Sequence, residues 1–447
     1  MKKIKRLLPL WLVLLYFGSA AYMFQFRTEN NDRYRELVET ARSCAKNEVM
    51  TDAAEAYEEA LAIHPNVELA AEAGEVFLAN EAYPEAKKWY RNELYANYPD
   101  EELTYDYGIR MYLAQEHYRD AFSVYDECRS RELGTEKIEE LMRPVLYSFD
   151  LSGRYDEVRP FGNLSGIAAV RYGDYWGYID DEGGRVLDYT YLSAGMFSDL
   201  AAVVDQNGKA YFTDRGGNKK ITDKSILEQD PEIGQVQQFL GIEGGVLWAW
   251  NGQAWSCYDA ETLKRLFGGY SAVTNIANGI GAVRNEASKW AVIAADGTAL
   301  TDFIYDDVRT DEKQVFCRTG IVFVKEGENW CLLNQEGKPV GDQVYEDACA
   351  FYDTTCAAVK RGGEWVYIDA EGQEQELGSY EAARSFSNGL AAVRSGGKWG
   401  YIDQEGRLVI DCQFDEAGPF AASGVAFVKP EGESCWKLLS LYKDHHE

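Results

Sequence analysis

The chain has 447 residues, 46% of them hydrophobic and 13% aromatic, which is too long for one ordinary core and too apolar for a disordered protein. Asp and Glu outnumber Lys and Arg by 74 to 45, and the formal charge of −29 repels phosphate backbones, so no nucleic-acid partner is expected. Nine cysteines with no C-x-x-C pair and no paired metal-ligand spacing argue against a disulfide framework. Several lie in predicted strands beside a Trp, Cys331 after Trp330 and Cys435 before Trp436, where a thiol serves as a small apolar filler.

Lys2, Lys3, Lys5 and Arg6 precede an uncharged run from Leu7 to Phe26. At 1.5 Å per residue this run is long enough to cross a hydrocarbon core of roughly 30 Å. Residues 1–29 therefore read as a signal anchor or transmembrane helix, amino end in the cytoplasm and the rest outside. A cleaved signal peptide is the alternative, because Gly18, Ser19, Ala20 and Ala21 suit a signal peptidase, and the remainder would then be secreted.

Residues 30–150 are rich in Ala, Glu, Leu and Tyr and repeat at intervals of 33 to 35 residues. Small residues recur at Ala41, Gly74 and Gly108, and Ala–Tyr pairs recur at Ala53 with Tyr57, Ala86 with Tyr90 and Ala121 with Tyr125. Pro65 and Pro99 fall after the second helix of a pair. In these positions the segment resembles the tetratricopeptide repeat, although the expected early Trp and Leu are mostly missing. The resemblance implies about three helical repeats, serving as a peptide-holding groove or as a rigid stalk. His64 and His117 stand alone there and read as surface or packing residues.

Residues 151–444 repeat another phrase. A Trp precedes an Asp-type turn residue by four positions in Trp176 with Asp180, Trp255 with Asp259, Trp330 with Asn334, Trp365 with Asp369 and Trp399 with Asp403. Trp290 and Trp436 share the register without the Asp, and Ala210 stands in for the Trp before Asp214. These eight registers follow at intervals of 34 to 45 residues. A second marker leads each unit: Tyr155, Tyr191, Ile233, Tyr270, Tyr305, Tyr345, Tyr380 and Phe414. "GLAAVR" and "KWGYID" alternate as strands do, with Trp399 and Tyr401 on one face, and "DQEG" is turn chemistry. The Trp stripe is expected to be core, because its period is that of the fold.

Gly166 to Arg171 followed by "WGYIDDEG", and "GLAAVRSGGKWGYIDQEG" at 389 to 406, resemble the WG-containing β-repeat found mainly in bacterial proteins. That resemblance implies an interaction or extracytoplasmic repeat architecture with no catalytic residue to transfer. A lone unit cannot bury both faces, so the units must stack, into a closed β-propeller of seven or eight blades or, alternatively, an open β-solenoid. Two incomplete ends, "GRYDEV" at 153 to 158 and the last "CWKLLSL", could together complete one blade.

Between Tyr155 and Asp444 there is no His, which removes His-dependent nucleophilic catalysis and His-ligated zinc from this region. "RGGNKK" and "KRGGEW" lack phosphate-loop spacing, and the D-x-x-G turns lack the further acids of a calcium loop. No enzymatic activity, cofactor or metal is expected. The expected function is a membrane-anchored extracytoplasmic scaffold of a bacterial cell membrane that binds a protein or peptide, with a carbohydrate-binding β-repeat head as the alternative.

Overall fold

The computed structural model describes residues 29–445, apart from 163–165, 312–314 and 354–355. They form two compact units, one ending at Ser148 and the other running from Phe149 to His445.

The first unit is helical: 29–46 (α1), Met50–Ile63 (α2), Val67–Ala79 (α3), Tyr83–Trp89 (α4) continuing as a π-helical turn at Tyr90–Tyr95, Glu102–Leu113 (α5), Tyr118–Ser130 (α6) and Glu136–Met142 (α7). Asn66, just after Pro65, caps α3 by accepting a 2.7 Å bond from the Leu69 amide. The periodic small residues lie where helices touch. A Cβ on Gly74 would stand 2.5 Å from the Tyr107 ring, and one on Gly108 would stand 2.7 Å from the Tyr90 ring. Tyr107 fills the space Gly74 leaves and donates to its carbonyl at 3.1 Å. Ala41, Ala53, Ala86 and Ala121 are buried, as are Tyr57, Tyr90 and Tyr125.

The expected transmembrane helix is corrected here. Among the described residues no helix is long and apolar enough to cross a membrane, and the run Leu7 to Phe26 lies outside them. The described helices are short and carry charge on their outer faces, as α6 does with Arg119, Asp120, Asp126 and Glu127.

The second unit is built of antiparallel strands, with one short helix at Asp223–Gln229 (α8). Each repeat supplies a lead strand, only two residues long in six of the eight, a hairpin carrying the "GLAAVR" and "KWGYID" strands, and in several repeats a further strand. The strands assort into six sheets, of seven, seven, four, four, three and three strands. The expectation is a β-propeller of seven or eight blades; the described strands form six sheets instead. The reason is covalent: Arg185–Phe197 pairs with strands of both repeat 1 and repeat 2, and Leu408–Ala417 does the same for repeats 7 and 8.

Each repeat shares a core with the next. Tyr178 and Leu187 of repeat 1 pack with Phe197 and Val203 of repeat 2, and similar mixed clusters link repeats 2 to 3, 3 to 4, 4 to 5, 5 to 6 and 6 to 7. Tyr401 and Phe420 join repeats 7 and 8 with ring centroids 4.8 Å apart. The circuit returns to its start, because Ala168, Val170 and Ile179 of repeat 1 share a core with Val425, Phe427 and Leu438 of repeat 8. The two incomplete ends also meet, as Phe149–Tyr155 pairs antiparallel with Trp436–Leu441. An open linear stack, the alternative expectation, would leave the first and last repeats apart and their edge strands unpaired.

Candidate functional site

The turn residues are occupied by their own backbone. Asp180 Oδ1 accepts from the amides of Glu182 and Gly184, Asp369 Oδ1 from Glu371 and Gln373, and Asp403 Oδ1 from Glu405 and Arg407. A carboxylate committed to two amides closes a tight turn and has little capacity left for a ligand. Among the described residues no cluster of His, Cys, Asp and Glu could hold a metal ion.

The seven marker tryptophans are packing residues rather than a display. Trp176, Trp290, Trp330 and Trp399 are buried, and Trp255, Trp365 and Trp436 are partly buried. They are spread around the repeats and meet in no common cleft. Among the large exposed apolar side chains of the described residues, Tyr172 is the one aromatic. All nine cysteines are free thiols. Burial pushes Cys128 and Cys356 up to about 11 and Cys257 up to about 12, so these thiols are poor nucleophiles.

A cation lies over the Trp face in several repeats. Arg159 stands 5.1 Å from the Trp176 ring, Arg284 5.8 Å from Trp290, Arg309 4.3 Å from Trp330 and Arg384 5.5 Å from Trp399. Arg159, Arg309 and Arg384 occupy one register, four residues after Tyr155, Tyr305 and Tyr380. Their second partners differ. Arg309 pairs through Nη2 with Asp347 of the following repeat, and Arg384 donates from Nε to the Ala417 carbonyl at 2.8 Å. The Arg159 side chain has no hydrogen-bond or ion-pair partner among the described residues, and its Nε is buried. Burial pulls its guanidinium below the ordinary arginine value.

Arg159 lines a cavity of about 410 Å³ to which five consecutive repeats contribute. Repeat 2 supplies Ser193 to Ser198, repeat 3 supplies Gln238 to Glu243, repeat 4 supplies Asn275 and repeat 5 supplies Arg318. The volume falls in the range of small-ligand pockets. Arg318 is already neutralised, since its Nε donates to Asp311, a buried residue whose other carboxylate oxygen accepts the Val315 amide at 2.9 Å. Asn275 is only 5% exposed, and its Oδ1 has no partner among the described residues. The cavity therefore combines an apolar wall, including Phe197, Phe239 and Leu240, with a partly buried cation whose Nε, like Asn275 Oδ1, has no partner among the described residues.

In two other cavities the arginine already has an acid beside it. One of about 220 Å³ holds Arg309, paired through Nη2 with Asp347 although its Nε, like that of Arg159, is buried without a partner among the described residues. A groove of about 360 Å³ on the helical unit holds Arg42, whose guanidinium is bound by both carboxylate oxygens of Glu72 at 2.7 and 2.8 Å. Sequence reasoning named the tryptophans and missed Arg159 and Asn275. The signal for Arg159 was available in "YDEVR", "YDDVR" and "YEAAR", which place Arg at one offset from the lead Tyr. No comparable pattern marks Asn275.

No curated protein matches the chain. Among solved structures it is similar to the computationally designed Ika8 protein, at 12% identity, 66% coverage of this chain, 99% of the other and a TM-score of 0.43. BamB from Moraxella catarrhalis is similar at 10% identity, 65% and 97% coverage and a TM-score of 0.39. PorZ, a surface component of the type-IX secretion system of Porphyromonas gingivalis, is similar at 11% identity, 63% and 42% coverage and a TM-score of 0.35. None of these scores is high enough to establish a shared fold or function. In sequence, residues 151–176, 379–399 and 399–432 match the WG containing repeat, so the second unit carries WG containing repeats.

Proposed function

We propose that the chain is an interaction scaffold whose β-repeat unit binds a protein or peptide segment. The observation that carries this reading is the convergence of five repeats on one cavity with an apolar wall and two unsatisfied polar side chains, Arg159 and Asn275. Repeat architectures suit this role, because many similar units build a broad surface and local substitutions tune it. The helical unit contributes a second repeat surface. Its Gly74 and Gly108 contacts and its Ala–Tyr pairs support the tetratricopeptide-like reading, in which stacked helix pairs present a groove for an extended segment.

Gly241 gives a clean test. A Cβ there would meet only the Asn275 amide nitrogen, at 3.7 Å, so Gly241→Phe fills the cavity with little strain at the backbone. Peptide-library selection on the whole protein should return a consensus that binds the natural chain and loses affinity for Gly241→Phe by tenfold or more, on the order of one well-filled anchor pocket. A consensus that binds both proteins equally would place recognition elsewhere, and the absence of any consensus would overturn the scaffold reading.

A further inference from the structure

The register that places Arg309 against Asp347 can be followed around the repeats. Asp347 stands two residues after Tyr345, the lead residue of the repeat that follows Arg309. For Arg159 the corresponding residue of the following repeat, two after Tyr191, is Ser193. Ser193 and Arg159 line the same cavity. Repeats 1 and 2 thus keep the arginine, keep its stacking on Trp176, and lack the acid that neutralises its counterpart.

Arg159 is partly buried with its Nε shut away from solvent, and a guanidinium in that position without a counter-ion is costly unless something completes it. Two features select the completing group. The position left open is that of a carboxylate, as Asp347 demonstrates four repeats further along the same pattern. The chain's charge of −29 and Glu243 in the same lining disfavour a multiply charged anion such as phosphate, whereas one carboxylate matches one cation that has no ion-pair partner among the described residues. Asn275, with its side chain buried and its Oδ1 unsatisfied, adds a directional group to the same cavity. Phe197, Phe239 and Leu240 give the carbon skeleton of the ligand an apolar wall.

We propose that this cavity is a carboxylate-binding site in which the ligand's carboxylate occupies, beside Arg159, the place that Asp347 holds beside Arg309. Arg159 supplies the charge-assisted hydrogen bonds and Asn275 bonds a polar group next to the carboxylate. The source is either a small free carboxylic acid or a carboxylate carried by a peptide. The peptide source rests on the scaffold reading above; the small-acid source does not.

The test uses the full chain and four probes: succinate, acetyl-Ala-Ala-Leu with a free carboxyl terminus, the same peptide amidated, and acetyl-Ala-Asp-Ala-amide. Calorimetry and thermal melts should register at least one carboxylate probe, with the amidated tripeptide at least about tenfold weaker than its free form if the peptide terminus is the source. Succinate binding alone upholds the carboxylate site and overturns the peptide partner. Binding of the Asp peptide without the others assigns the site to an acidic side chain.

Ser193→Asp is the decisive variant, because it restores within the chain the acid that repeat 6 already has. It should raise the melting temperature and abolish binding of every carboxylate probe. Arg159→Met removes the charge while keeping an apolar stem over Trp176, and should also abolish binding without lowering the melting temperature. The proposal is overturned if no carboxylate probe binds the natural chain, if binding survives both substitutions, or if Ser193→Asp lowers the melting temperature. Loss of folding in Arg159→Met would leave the decision with Ser193→Asp, whose direction of shift separates a completed ion pair from a merely crowded wall.

Discussion

Repeats 1 and 7 keep a glycine after the marker tryptophan, whereas repeats 4 and 5 carry Ala291 and Cys331, and what differs between them is the strand that comes next. In repeat 7 a Cβ on Gly400 would stand 2.4 Å from the Ile410 carbonyl oxygen, and in repeat 1 a Cβ on Gly177 would stand 2.8 Å from the Leu187 carbonyl oxygen. Both sites face a bulge, where the neighbouring strand leaves register and its backbone presses inward. In repeats 4 and 5 no such strand forms; isolated bridges such as Trp290 to Tyr305 and Trp330 to Tyr345 take its place. The tryptophan and the glycine of the phrase thus answer to different neighbours. The first packs the core that every repeat needs, and the second admits a close strand that only some repeats have.

Gly400→Val attacks that distinction with the largest expected effect. Its branched carbons must displace backbone, which costs about 3 kcal/mol or more, against about 1 kcal/mol for Ala291→Gly in repeat 4. Urea melts of the full chain with both variants decide the matter, and equal losses would show that the glycine is not there for the strand.

Repeat 3 sharpens the same comparison. Its residue after the tryptophan is Ser256, but Gly268 stands across from it, and a Cβ on Gly268 would lie 2.5 Å from Ser256 Oγ. The room has moved to the partner strand. Gly268→Ala should cost about 2 kcal/mol, and adding Ser256→Gly should recover part of it, leaving a coupling well above experimental error in the double-mutant cycle. Simple additivity would break the argument. Repeat 6 tolerates Val366 in another way, since the segment between its Tyr380 and Gln375 pairings is longer by one residue than the corresponding Phe414 to Ile410 segment of repeat 7.

These contrasts mark what could be read from the chain. The tryptophan and lead-tyrosine registers were visible because they recur, and recurrence exposes whatever every copy needs: the hairpin, the Asp turn and the shared core. The joining of repeats 1 to 2 and 7 to 8 through Arg185–Phe197 and Leu408–Ala417 was not legible, since a strand that bends from one sheet partner to another has the same alternation as one that stops. The cavity was hidden for the opposite reason. Arg159 looks like Arg309 in sequence, and only the identity of the facing residue, Ser193 or Asp347, distinguishes the arginine with a counter-ion from the one without. Asn275 belongs to no periodic series, and its significance lies wholly in the partner it lacks.

A smaller effect is expected at the contacts between repeats. Tyr178, Tyr367 and Tyr401 each stand two residues after the marker tryptophan and donate to a carbonyl of the next repeat, Gly195, Arg384 and Gly418, at 2.9, 3.1 and 2.9 Å. Repeats 4 and 5 have Val292 and Leu332 there and dispense with the bond. Tyr401→Phe leaves the Gly418 carbonyl without its donor and should cost about 1 kcal/mol, measured by the same melts. A neutral result would mean that the ring alone holds the contact.

The smallest effect separates turns that titrate from one that cannot. The Asn218 amide, the Asn218 side chain and Lys220 hold Asp214 far below its ordinary value of 3.8, and Thr262 lowers Asp259 in the same sense. A carboxyl whose pKa is depressed by folding contributes stability above its unfolded value and loses it as pH falls through the folded one. Acid should therefore weaken repeats 2 and 3, with Asp214 and Asp259, progressively below pH 3.8, whereas repeat 5 closes its turn with Asn334, which accepts from Glu336 and Lys338 at 3.0 and 2.9 Å without a proton to gain. Asp214→Asn should flatten the acid limb of a stability-against-pH curve and Asn334→Asp should steepen it. If both variants track the natural chain between neutral pH and that limb, the turns hold through their backbone geometry, and the carboxylate is a choice of shape rather than of charge.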